Sequence, residues 1–82
     1  MNDSDVYANY IRDVIYIIRE RASSSMEKAR QTSSEFDDGR VSSFREVLAL
    51  MQSQADAFGI SRSEICLDGF DAWTGPIDPP VV

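Results

Sequence analysis

Eighty-two residues with one cysteine, no histidine and a net charge of −6 allow a single domain at most. They exclude an intrachain disulfide, and they remove the commonest zinc ligand and the commonest general base. A chain this short buries only about 60–65% of the surface its unfolded form exposes, so its stability needs a supplement, and association between chains is the one left.

The charge is unevenly placed. Residues 1–34 hold five basic and five acidic side chains, whereas residues 35–82 hold three basic against nine acidic. Binding nucleic acid phosphates needs a basic face, and none is visible, so no nucleic acid partner is expected. The acidic start Met1-Asn2-Asp3-Ser4-Asp5 lacks the basic region of a secretory signal. The most apolar run, Val14 to Ile18, is five residues long, where a membrane span needs about 20. With one unpaired cysteine, these features lead us to expect a cytoplasmic protein with no membrane span.

Residues 5–31 read as the first helix. Asp3, Ser4 and Asp5 are N-cap candidates, and their carboxylates suit the positive end of a helix dipole. Ile11, Ile15, Ile18, Ala22, Met26 and Ala29 recur at spacings of three and four along one face. A second stripe, Tyr7, Tyr10, Val14 and Ile17, runs beside it and ends at Arg21. The β-branched and aromatic run at 14–18 would also suit a buried strand, but no turn signal bounds it and the helical stripe continues through both flanks. Ser23, Ser24 and Ser25 are a weak point where the helix could break.

Residues 33–58 read as the second helix, opened by the capping-box spacing of Thr32 and Glu35. Val41, Phe44, Leu48, Met51, Ala55 and Phe58 form an unbroken seam at spacings of three and four, widened by Phe36, Val47 and Leu50. Gly39, after Asp37 and Asp38, could mark a turn, but a continuous helix matches the length of the first and lets the two pack along their whole extent. Gly59 stands where a C′ glycine belongs, and Ile60 where a Schellman motif places its apolar contact. Ser61 and Glu64 suggest a further capping box and a short helix over 62–67. From Asp68 onward, glycine and proline exclude regular structure.

The expected fold is therefore all-α: a long antiparallel helical hairpin domain over 1–67 and an acidic Gly/Pro-rich tail over 68–82. The second stripe on the first helix predicts dimerisation into a four-helix bundle, with Tyr7, Tyr10, Val14 and Ile17 at the interface.

No constellation for chemistry survives inspection. With Gly39 or Gly69 at the sixth position of a calcium loop, the first and third positions would be Ser34 and Phe36, or Glu64 and Cys66, which lack the paired carboxylates. Asp37 and Asp38 read as a solvated helix start. Cys66 has no histidine to activate it and reads as a small core residue. No phosphate-binding loop exists. We therefore expect no enzyme and no catalytic, cofactor or metal residues.

Phe70, Asp71 and Trp73 could form a linear element that binds a partner. The simpler reading is that Phe70 and Trp73 fold back on the hairpin, since a small domain seldom leaves its only tryptophan in water. The expected function is a small acidic adaptor or regulator acting as a homodimer on a further protein partner. The alternative is an acidic inhibitor, of the bacteriocin-immunity or phage anti-defence type, that blocks a basic nucleic-acid-binding site.

Overall fold

In the computed structural model, residues 2–79 are described, so Met1 and the last three residues of the expected tail lie outside the described residues. Helix α1 spans Asp3–Thr32, helix α2 spans Glu35–Ala57, and a 3₁₀ turn follows at Arg62–Ile65. No strand occurs among the described residues. Thirty residues of α-helix rise about 45 Å, and α1 indeed sets the longest dimension of the molecule, 46 Å.

The cap of α1 is Asn2, not one of the acidic residues after it. Its side-chain carbonyl accepts the Asp5 N–H at 3.0 Å, which leaves Asp3 and Asp5 in the first turn, where negative charge opposes the helix dipole. The helix runs through Ser23, Ser24 and Ser25 unbroken. Ser23 spends its hydroxyl on the carboxylate of Asp78 rather than on its own backbone.

Ser33 ends α1 in the left-handed region at φ 52°, with its N–H donating to the Ala29 carbonyl. Ser33 and Ser34 alone reverse the chain. The expected capping box at Thr32 does not form. Ser34 is the cap of α2 and makes no side-chain bond, while the Thr32 hydroxyl donates to Asp37 Oδ2 at 2.7 Å. Asp37 is buried, with Lys28 Nζ 4.0 Å from its other oxygen. Only Asp38 is solvated as expected, because Asp37 faces back to α1 and ties the two helices at their turn.

Gly39 is helical, so α2 is continuous. The helix ends in a Schellman motif: the Ile60 N–H donates to the Ala55 carbonyl at 2.8 Å and the Gly59 N–H to that of Asp56 at 3.1 Å. Gly59 sits at φ 71°, which an L side chain would resist. The short helix expected over 62–67 is instead a 3₁₀ turn over Arg62–Ile65. Cys66 takes the left-handed conformation at φ 62°, and this turns Leu67 inward.

The core gathers Ile15 and Ala22 of α1, Leu48 and Ala55 of α2, and Cys66, Leu67, Ala72 and Ile77 of the segment that follows. Residues 66–79 therefore act as a strap laid over one broad face of the hairpin. Among the described residues, nothing covers the opposite face.

Candidate interaction surface

An irregular strap brings carbonyls that no helix or sheet satisfies, so whatever buries it must supply donors. Arg19 supplies most of them. Only 2% of it is exposed. Its Nε donates to the Ile77 carbonyl at 3.1 Å and Nη1 to those of Cys66 at 2.8 Å and Asp68 at 3.4 Å. Nη2 donates to the Asp78 carbonyl at 2.5 Å. The guanidinium also stands 4.2 Å from the centre of the Phe70 ring. From α2, Gln52 donates to the carbonyls of Leu67 and Phe70, and Arg45 to those of Ala72 and Gly75. Arg12 holds the 3₁₀ turn through the Glu64 carbonyl. Arg62 and Asp56 join that turn to the end of α2 at 2.7 Å, and the hydrogen bond from Arg62 holds the Asp56 carboxyl below the ordinary aspartate range. Among the described residues, no buried side-chain nitrogen or oxygen lacks a partner.

Sequence reasoning missed Arg19, Gln52 and Arg45. A signal for two of them exists. Arg19 completes the series Ile15, Arg19, Ala22, Met26 at spacings of four, three and four, and Gln52 completes Leu48, Gln52, Ala55. A polar side chain inside an apolar stripe, in a chain with an irregular tail, marks a donor for that tail.

The structure separates the three tail residues. Phe70 is half-buried against Arg19, as a strap that folds back requires. Asp71 is exposed and accepts the Trp73 N–H at 2.8 Å, a local turn contact. Trp73 does not pack into the core. It is 63% exposed and forms one wall of a hollow shared with Glu46, Ala49, Leu50 and Arg62. Ala72 and Ile77 take the buried places instead, because Trp73 follows directly on Ala72 and points away from it.

On the open face, Tyr7 is 69% exposed and Tyr10 65%, Ile17 is exposed, and Val14 is half-buried. All four stand on the same side of α1, as the spacing required. Beside them, the start of α1 and the end of α2 enclose an apolar groove of about 690 Å³, lined by Tyr7, Ile11, Val14, Met51, Phe58 and Ile60 among others. Phe58, expected to close the seam of α2, is 78% exposed at the mouth of this groove. Farther along, Ile17 lines a hollow with Arg21, Lys28 and Arg40.

Among the described residues, no cluster of histidine, cysteine, aspartate and glutamate could hold a metal ion, and no helix is long and apolar enough to cross a membrane. No family model, curated protein or solved structure matches this chain, so the surface carries the functional argument alone.

Proposed function

We propose that the protein is a small non-enzymatic interaction module, an adaptor or regulator of the cytoplasm, that acts as a homodimer through Tyr7, Tyr10, Val14 and Ile17. One observation carries this reading: the side of α1 turned away from the strap presents these four apolar side chains in an unbroken stripe, three of them exposed. Burying such side chains contributes about 1.5–3 kcal/mol each, and soluble monomers rarely display contiguous patches of this kind. A two-fold axis against α1 covers the stripe with its own copy. Phe70, Asp71 and Trp73 then remain on the strap, where Trp73 and the exposed Leu50 offer a second partner an aromatic contact.

Sedimentation of the chain at micromolar concentration tests the dimer. The expected result is a dimer that Tyr10→Asp converts to a folded monomer, since Tyr10 is 65% exposed within one chain and its aspartate is costly only when buried without a counter-charge. A wild-type monomer at high micromolar concentration ends this reading.

The acidic-inhibitor reading draws on the exposed Asp68, Asp71 and Asp78 along the strap. A salt-sensitive complex with a basic nucleic-acid-binding protein would favour it over an adaptor.

A further inference from the structure

The stripe on α1 is longer than its four apolar members. Asp3, Tyr7, Tyr10, Val14, Ile17 and Arg21 follow one another at spacings of four, three, four, three and four. That order reads the same in both directions. Residue 12 lies at its centre, and Arg12 itself turns away to the Glu64 carbonyl. Continued past Arg21, the same side of the helix carries Ser24 and Lys28, and the apolar character ends.

We infer that the partner on this face is a second copy of the chain, packed with its α1 antiparallel to the first about an axis at the height of residue 12. The inference rests on the homodimer reading above and adds its direction and register. In this arrangement Tyr7 meets the partner's Ile17, Tyr10 meets the partner's Val14, and Asp3 meets the partner's Arg21, because the members of each pair stand equally far from residue 12. Each apolar side chain then finds an apolar one, and each end of the seam closes on opposite charges. Arg21 has no ion pair or hydrogen bond within its own chain among the described residues, so it is free to serve. A parallel arrangement would instead place Arg21 against Arg21 and Asp3 against Asp3. Like charges at both ends of a seam weigh against it. The antiparallel seam also uses the helix only as far as Arg21, where the stripe turns polar. The two hairpin turns therefore point in opposite directions, clear of the contact.

Cross-linking decides the register. In the antiparallel seam, positions 7 and 7 of the two copies lie about 15 Å apart along the axis, beyond the reach of a disulfide, whereas positions 7 and 17 face each other. Tyr7→Cys and Ile17→Cys are made separately in the full chain, with the buried Cys66 left in place and the wild type as control. The expected result is a disulfide-linked species that forms on mixing the two variants and not from either one alone. Cross-linking of Tyr7→Cys with itself, or none on mixing while the protein still sediments as a dimer, overturns the register and leaves the homodimer standing. A monomeric wild type removes both. Charge reversal gives an independent reading. Arg21→Glu is expected to weaken the dimer roughly tenfold, from two symmetric ion pairs turned to repulsion, and Asp3→Arg in the same chain to restore it. Failure of the second change to restore affinity overturns the pairing of the ends.

Discussion

The two broad faces of the hairpin are built by opposite means. The strap-covered face buries an arginine and a glutamine and half-buries a second arginine, while the open face shows tyrosine, isoleucine and phenylalanine to solvent. The contrast follows from what lies opposite each face. A strap without regular structure presents backbone carbonyls, which cost about 1–3 kcal/mol each when buried unpaired, so its bed must donate hydrogen bonds. A neighbouring helix has its carbonyls already satisfied and asks only for apolar contact. The covered face is therefore fitted to irregular backbone, and the open face has the apolar character that the helix proposed to pack on it would need.

The sharpest way to break this comparison is to remove the donor that serves the strap best. Arg19→Ala leaves the carbonyls of Cys66, Asp68, Ile77 and Asp78 without their partner and takes the cation from above Phe70. The expected cost is about 3 kcal/mol or more, a large part of the stability of a chain this size. Arg12→Ala removes two hydrogen bonds at an exposed carbonyl and should cost about 1 kcal/mol or less. Urea unfolding of both variants measures the difference. Equal costs would mean that apolar packing of Ala72 and Ile77, not donation from α1, holds the strap.

A smaller effect separates the two aromatic residues of the strap. Phe70 is half-buried on Arg19 and Trp73 stands in solvent. Phe70→Ala should cost about 1.5–3 kcal/mol, and Trp73→Ala less than about 1 kcal/mol. Trp73 emission should lie near that of tryptophan in water, and it should shift to the blue when a partner covers the strap. A blue-shifted emission in the isolated protein would place Trp73 inside.

How much of this the sequence disclosed follows the same division. The helices, their reversal near residue 33, the continuity through Gly39 and the Schellman end at Gly59 were legible, because each rests on local spacing or on a backbone conformation that one residue type favours. The stripe of Tyr7, Tyr10, Val14 and Ile17 was legible as a face. The strap was not. Its path depends on which carbonyls meet Arg19, Gln52 and Arg45 across 15 to 59 residues of sequence, and periodicity carries no information on that. The cap of α1 was misplaced for a simpler reason. Asn2, Asp3, Ser4 and Asp5 are all capping types, and only the geometry chooses among them.

The smallest expected effect lies beside the axis proposed for the dimer. Asp13 is exposed on α1, one residue from its centre, on the flank of the seam. A two-fold axis at residue 12 brings it to the same flank as its own copy, about 10 Å away across two packed helices. Two like charges at that distance repel by about 0.4 kcal/mol in water, and physiological salt screens part of this. Asp13→Asn should therefore tighten the dimer by up to about twofold at low salt, and by nothing measurable at high salt. Glu20 shares that flank and stands eight residues from the centre, about 24 Å from its copy along the axis, but this register sets it beside the partner's Asp3, so Glu20→Gln should tighten the dimer by a similarly small factor at low salt. Sedimentation equilibrium at two salt concentrations reads all of these. If Asp13→Asn leaves the dimer unchanged at low salt, the axis does not lie beside residue 12, and the pairing of Tyr7 with Ile17 is wrong.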